Sequence, residues 1–446
     1  MKIIIAGAGD VGFHLAKLLA NEDHDIVLID TSQEKLQYAT DHLDVATVKG
    51  KSTSYNVLKA ANIQEADLLI SVTSFEENNL MTALIGKKLG AAKTIARVSN
   101  TEFIVEKDEE GIKSLGVDEI ISPEALASKE IKRLLKEAAT TDVFDFESGK
   151  LSLIGISIDE QDPLNNKTLA ETIHLNPDLN FITVAILRDN KTIIPRGDTR
   201  FQLNDHVYYI ALPEGIDRVL KLTGKKREKI KNIMILGGSK VGIHAAKELC
   251  PKYNVKLIEK SKNKCFDLAE TLQEALIISG DGREVELLEE EGIENVDAFI
   301  AVTGNSETNI ISSLVAKNRG VKKTIALVEN MDYIHLSQNI GVDTMINKKL
   351  IAANFIFRYI REGHIIAITS IHGADSEILE FVVKRDSKIT RKPLSELKFP
   401  KTAIVGGVIR RGQAFITMGN FCFEENDRVV VLSKPECIHK VEDFFK

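Results

Sequence analysis

The residues with chemical potential in this chain gather at two glycine-rich turns. The first is Gly7-Ala8-Gly9-Asp10-Val11-Gly12. It follows an apolar run at 3–6 and opens a segment in which Val11, Leu15, Leu18 and Leu19 recur at helical spacing. Asp30 stands at the end of the next apolar run. In that setting each glycine has its own task. Gly7 permits the tight turn, Gly9 lets bare backbone approach a pyrophosphate, and Gly12 brings the helix close to the strand. The N–H groups of the helix start, from Asp10 and Val11 onward, are placed to receive phosphate charge. Asp30 is placed to accept ribose hydroxyls, and its charge repels a 2′-phosphate. The pattern therefore favours NAD(H) or an adenosine nucleotide over NADP(H).

The second turn is Gly237-Gly238-Ser239-Lys240-Val241-Gly242, with Glu259 in the place of Asp30. Gly237 and Gly242 keep the turn and the close packing. Ser239 adds a Cβ and a hydroxyl where a pyrophosphate needs bare backbone, so an occupied pocket and a degenerate one both fit the residues. Other candidates lie at strand ends facing the same crevice: Lys51, Ser52, Thr73, Ser74 and Arg97 in the first copy. A guanidinium in the apolar run at 94–98 needs a carboxylate or phosphate partner. Its counterpart in the second copy is Leu327. His14 and His244 lie beyond the loops on a helix flank and read as packed or surface residues. No spacing of Cys250, Cys265, Cys422, Cys437, His364 or His372 builds a metal site.

The elements that must hold these residues come in duplicate. Residues 3–19 (IIIAGAGDVGFHLAKLL) match 233–249 (IMILGGSKVGIHAAKEL), and 66–74, 94–100 and 115–122 match 296–304, 324–330 and 340–347. Each copy opens with short apolar runs alternating with amphipathic helices, which is the pattern of a parallel sheet with crossovers. In the first copy the strands fall at 3–6, 26–29, 45–48, 68–72, 94–98 and 119–121. Ser122 and Asn347 then cap one further helix each. The stripes Ala127, Ile131, Leu134, Leu135, Ala138 and Ala352, Phe355, Ile356, Tyr359, Ile360 must be buried, on a partner domain or on another chain. Each copy closes with a small α+β unit, its strands in the first copy at 153–158, 184–187 and 207–211. These units share Arg188, Gly197, Asn204 and Asp205 with Arg410, Gly419, Asn426 and Asp427. The fold class is thus α/β: two Rossmann-like parallel-sheet domains, each followed by a small α+β domain, in tandem. The expected divisions are 1–121, a crossover helix at 122–140, a small domain at 141–224, a charged linker at 225–231, a second Rossmann-like domain at 232–346, a crossover helix at 347–364 and a small domain at 365–446.

Composition narrows the function. The 446 residues are 43% hydrophobic and carry 58 Lys+Arg against 65 Asp+Glu, a net charge of −7. That balance excludes a disordered chain and argues against a nucleic-acid partner. No apolar run reaches the ~18–20 residues of a spanning helix, and the N-terminus does not read as a signal peptide. A dehydrogenase needs a substrate domain with a poised acid or base, whereas the small units share turn residues. A nucleotide-reading switch fits better, with an NAD-dependent oxidoreductase or a redox-sensing NAD(H)-binding protein as the alternatives.

The order GAGDVG, LID, LLISVTSFEENNL, TIARVSN and a small domain, repeated once, resembles the tandem members of the RCK (regulator of potassium conductance, or KTN) family over essentially the whole chain. The resemblance implies a non-enzymatic regulatory subunit, cytoplasmic and peripheral on the inner face of the cell membrane, partnered by a Trk-type membrane potassium channel subunit. It implies NAD(H) as ligand, with ATP/ADP possible at the same site. It also implies a homo-oligomer, either a dimer or a tetrameric ring. For a nucleotide-driven switch in that assembly, the helices after Ser122 and Asn347 are expected to cross between subunits and carry the change. The family's nucleotide residues correspond to Gly7, Gly9, Gly12, Asp30, Thr73 and Arg97, with Asn79 (and Asn309 in the second copy) in the acidic-Asn segment. Lys51 departs from the expected Gly-Asp pair, which the second copy keeps as Gly280-Asp281.

Overall fold

The structure is a computed structural model that describes residues 1–20, 24–99, 116–136, 142–189, 191–224, 230–330, 333, 341–360, 365–370 and 376–446. The first six strands are β1 Lys2–Ala6, β2 Asp25–Asp30, β3 Ala46–Lys49, β4 Leu68–Ser71, β5 Lys93–Arg97 and β6 Glu119–Ile121. They form one parallel sheet in the order β3-β2-β1-β4-β5-β6. The crossovers are α1 Asp10–Ala20, α2 Gln33–His42, α3 Tyr55–Ala60 and α4 Glu76–Leu89. Ile3, Ile4 and Ile5 are all fully buried, as expected of a central parallel strand covered on both faces. The strand order reverses between β1 and β4, and this leaves a crevice at their C-terminal ends, where the loop after β1 lies.

Helix α5, Pro123–Lys136, begins as its sequence predicts, with Ser122 Oγ accepting the Ala125 N–H at 3.3 Å. Next come β7 Asp142–Phe146, β8 Leu151–Ser157, α6 Leu169–Thr172, β9 Phe181–Arg188, β10 Lys191–Ile193, β11 His206–Ala211 and α7 Pro213–Leu222. Their antiparallel sheet runs β10-β9-β11-β8-β7. Its two edge strands, β7 and β10, escape the sequence pattern because Asp142 and Asp145 break any period-two alternation in one and the other is three residues long.

The second copy repeats both sheets. Strands β12 Asn232–Leu236, β13 Asn254–Glu259, β14 Leu276–Ser279, β15 Ala298–Ala301, β16 Lys323–Leu327 and β17 Thr344–Ile346 run β14-β13-β12-β15-β16-β17. Their helices are α8 Lys240–Leu249, α9 Lys262–Thr271, α10 Val285–Glu290 and α11 Ser306–Asn318. Helix α12, Lys348–Ile360, is capped by Asn347, whose Oδ1 accepts the N–H groups of Lys349 and Leu350 at 2.8 and 3.0 Å. The chain closes with β18 Ile365–Ser370, β19 Glu377–Val382, β20 Ala403–Arg410, β21 Gln413–Ile416, β22 Arg428–Ser433 and α13 Ile438–Glu442. Residues 225–229 of the charged linker, 137–140 and 361–364 at the crossover-helix ends, Asn190, His364 and His372 lie outside the described residues.

The chain forms two compact units, residues 1–129 with 347–360, and residues 130–346 with 361–446. In the first unit, α12 lies against α1 and buries Ala352, Ala353, Ile356 and Phe357. Each large apolar side chain buried there contributes about 1.5–3 kcal/mol. The Lys93 ammonium sits 5.4 Å from the centre of the Tyr359 ring. In the second unit, the end of α5 buries Ile131, Leu134 and Leu135, and Lys132 pairs with Glu248 of α8. Each crossover helix thus packs with the other copy's Rossmann domain inside one chain. This replaces the expectation that these helices cross between subunits: the duplication supplies the partner surface internally.

The two small domains share one core, in which Leu153, Val184, Tyr208 and Ile210 meet Ile378, Ile409, Val430 and Leu432. Gly406 permits the close approach, since a Cβ there would lie 2.6 Å from Ile210 Cγ1. The quartet repeated in both small domains is structural. Arg188 grips Asp205 through two bonds of 2.7 Å, and Arg410 grips Asp427 at 2.8 and 2.7 Å. Asn204 and Asn426 take the same left-handed φ of 67° in the turn before them.

Candidate nucleotide-binding site

The first loop is held by its own backbone and by one carboxylate. Gly7 has φ 110°, a conformation that favours glycine, and its N–H donates to the Ile29 carbonyl at 2.7 Å. A Cβ on Gly12 would stand 1.8 Å from the Gly7 carbonyl oxygen. Gly9 is different, because a Cβ there would meet nothing within 4 Å. Its bareness serves no packing need and opens onto the crevice above the start of α1. Val11 is buried at 4% exposure, so only its main chain can face that crevice.

Asp30 closes the loop from the next strand. Its Oδ2 accepts the Ala8 N–H at 2.7 Å and its Oδ1 accepts the Ser32 N–H at 2.8 Å. The carboxylate therefore fixes the loop's conformation, and each oxygen keeps a lone pair for a ribose hydroxyl. Glu259 repeats the arrangement with a longer side chain, accepting Gly238 N–H and Ser261 N–H at 2.9 Å each. Burial works to raise the Glu259 carboxyl, but the N–H donations from Ser261 and Gly238, with Lys264 nearby, bring it below its ordinary value.

Across the crevice, the side chain of Asn79 is turned into the fold. It is 1% exposed, and its amide is consumed by the fold. Oδ1 accepts from Thr73 N–H at 2.8 Å, from Thr73 Oγ1 at 2.6 Å and from Ser71 Oγ at 3.2 Å. Nδ2 donates to the Thr73 and Arg97 carbonyls at 3.1 and 2.9 Å. Asn79 ties the end of β4 to the end of β5 and so positions Thr73 and Arg97. Asn309 does the same for Thr303 and Leu327. Ser52 is likewise turned inward, its hydroxyl 2.9 Å from that of Thr82. Arg97 is half-buried, and its guanidinium has no hydrogen bond or ion pair among the described residues. A cation left that way beside a phosphate loop is suited to an anionic ligand.

The second loop is built differently. Gly237 repeats Gly7 with φ 105°, and a Cβ on Gly242 would stand 2.1 Å from the Gly237 carbonyl. Ser239 adopts ordinary extended backbone and caps α8. A Cβ on Gly238 would lie 2.5 Å from Leu268 Cδ1, so the glycine lets that side chain pack close to the loop. The crevice beside it, about 430 Å³, is lined in part by Lys260, Lys264, Asp281 and Arg283. The bonds from Arg283 and Lys260 hold the Asp281 carboxyl far below the usual carboxylate range.

His14, the residue of α1 that invites a catalytic reading, is largely buried. That desolvation, aided by Lys17, lowers its pKa to about 4. All four cysteines are free, and no group of metal-ligating side chains occurs among the described residues.

One feature of the site was not anticipated from the sequence. Asp10 does not face the crevice alone: its carboxylate lies 2.6 Å from Nζ of Lys349, which α12 brings from the second copy. A signal for it exists in the duplication. Where the first copy has Asp10 the second has Lys240, and where the second has Lys349 the first has Glu124.

Against known proteins, the TrkA-N domain model matches residues 3–123 and 233–348, and the TrkA-C domain model matches 153–224 and 378–446. The chain belongs to the TrkA family. Over 455 aligned residues it is 34% identical to the Trk system potassium uptake protein TrkA homolog 1 of Methanosarcina mazei, covering all of both chains. It is 32% identical to the Trk system potassium uptake protein TrkA of Haemophilus influenzae, covering all of this chain and 99% of that one. Among solved structures, the "GsuK channel bound to NAD" shares the fold with a TM-score of 0.60 at 15% identity, over 100% of this chain and 78% of that one. The "GsuK RCK domain" gives the same TM-score and identity over 100% and 94%. The TrkA-N matches enclose both glycine loops, and the TrkA-C matches enclose both Arg–Asp turns.

Proposed function

We propose that this chain is a nucleotide-binding regulatory subunit of potassium uptake, working on the inner face of the membrane beside a Trk-type potassium channel subunit and catalysing no reaction itself. The observation that carries the reading is the open loop at Gly9, between Asp30 and Arg97, in a chain matched along its whole length by potassium-uptake TrkA proteins. NAD(H) is the ligand that fits best, with ATP/ADP at the same site. Among the described residues no helix is long and apolar enough to cross a membrane, and in this reading the pore belongs to a partner.

In this reading Gly7, Gly9, Asp10, Val11 and Gly12 supply the backbone cradle, Asp30 takes the ribose, and Thr73 and Arg97 face the phosphates. Asn79 positions the last two. The same roles at the second loop fall to Gly237, Gly242 and Glu259. The domains divide at 121, 140, 224, 231, 346 and 364, and copies of the chain assemble as a homo-oligomer, a dimer or a tetrameric ring. A ligand can gate such an assembly only by binding two arrangements of it unequally.

Calorimetric titration of the full chain with NADH and then ATP tests the reading. Saturable, mutually competitive binding with no loss of 340 nm absorbance supports it. Failure of both to bind overturns it, and steady NADH oxidation would restore the oxidoreductase alternative.

A further inference from the structure

We propose that Lys349, carried by the second repeat, is a phosphate ligand of the first repeat's nucleotide site, its ammonium passing from the Asp10 carboxylate to the phosphates of the bound nucleotide. The inference rests on the nucleotide reading of the Gly7–Gly12 loop.

Asp10 is the first residue of α1, so its carboxylate occupies the positive end of the helix that a phosphate would use. Unneutralised, it would oppose a ligand carrying several negative charges. The neutralising group is Lys349, with Nζ 2.6 Å from Asp10 Oδ2. Burial shows which partner is fixed: the Asp10 side chain is 71% exposed and that of Lys349 only 23%. The lysine stem is packed and its head is delivered to the mouth of the loop. A compact ammonium on a four-carbon stem can exchange partners over a few ångströms without backbone motion. A phosphate, with more charge than a carboxylate and the N–H groups of α1 beneath it, is the stronger partner.

In the duplication both positions change together. Lys240 replaces Asp10 and Glu124 replaces Lys349, so opposite signs at the two positions survive a reversal of both. The second loop carries its cation within its own sequence, whereas the first receives one from the other repeat. Ligand charge at the first loop then acts on the first turn of a helix that belongs to the second repeat.

The test is titration of full-length protein with ATP, NADH and adenosine. Removing one cation beside the phosphates in Lys349→Met should weaken ATP about tenfold. NADH should weaken less and adenosine not at all, and the salt dependence of ATP binding should become shallower. Lys349→Arg should restore most of the affinity. Asp10→Asn should tighten ATP several-fold by removing the competing carboxylate. Lys349→Gln serves in place of Lys349→Met if thermal melting shows the latter misfolded. If the wild type binds ATP and the folded Lys349 variant binds it within twofold at the same salt dependence, Lys349 is no ligand and the nucleotide reading stands. If the wild type binds neither nucleotide, that reading falls and takes this inference with it.

Discussion

Ser239 Oγ accepts the Gly242 N–H at 3.2 Å and donates to the Val302 carbonyl at 2.6 Å. The side chain that replaces a glycine in the second loop thus satisfies the start of its own helix. In the first loop the same position, Gly9, leaves open space. The two crevices share a sheet, a turn and a loop-closing carboxylate, yet one presents bare backbone to a ligand and the other presents a hydroxyl already committed to the protein.

Replacing Ser239 by glycine should open the second loop. As a cap, the serine loses only a few tenths of a kcal/mol to glycine, and the bond to Val302 adds about 1 kcal/mol. Calorimetry should show tighter nucleotide binding or an added site per chain, with a small fall in Tm.

Gly9 and Gly12 should separate binding from folding. A Cβ on Gly9 meets nothing within 4 Å, so Gly9→Val should leave the chain folded, with a small fall in Tm from the poorer helix start, while nucleotide binding is abolished. Gly12→Ala drives a Cβ onto the Gly7 carbonyl and should cost about 2–3 kcal/mol of stability, read by denaturant unfolding.

Arg97 should behave as a binding residue with little structural duty. Arg97→Gln breaks no ion pair among the described residues, so stability should stay within ~0.5 kcal/mol of wild type. Affinity for ATP should fall about tenfold in the same titration.

Asn79→Ala should do the reverse. It orphans the Thr73 N–H and two carbonyls in a buried site, at about 1–3 kcal/mol per group, and should appear first as lost stability.

His14 predicts an acid sensitivity. Its folded pKa of about 4 lies below the ordinary 6.5, so below pH 6.5 the unfolded chain binds the extra proton. Stability should therefore fall as pH drops from 6.5 to 4, by about 2–3 kcal/mol from this group. Urea unfolding of His14→Gln should show a flatter profile across that window.

The glycine loops, the strand–helix alternation and the duplication were legible because each leaves a local pattern. Ser122 and Asn347 read correctly as caps, since a cap is a short-range event. The bonding of Asn79 was not legible: an amide facing a crevice and one turned into the protein look alike in sequence, and only the positions of Thr73 and the Arg97 carbonyl show which it is. Lys349 was missed because its partner lies far away in sequence, and only comparing the charges of the two repeats could have exposed it. For the crossover helices, an amphipathic stripe states that a face must be covered and is silent on what covers it.

The exchange of α5 and α12 makes each half of the chain the other's missing piece. Fused in this way, two formerly equivalent partners always meet one to one and in fixed order. Each is then free to accumulate changes that a symmetric pair would suffer twice. Ser239 opposite Gly9, Leu327 opposite Arg97 and the reversed charges at Asp10 and Lys240 are differences of that kind. A single polypeptide thereby carries two unlike versions of one loop.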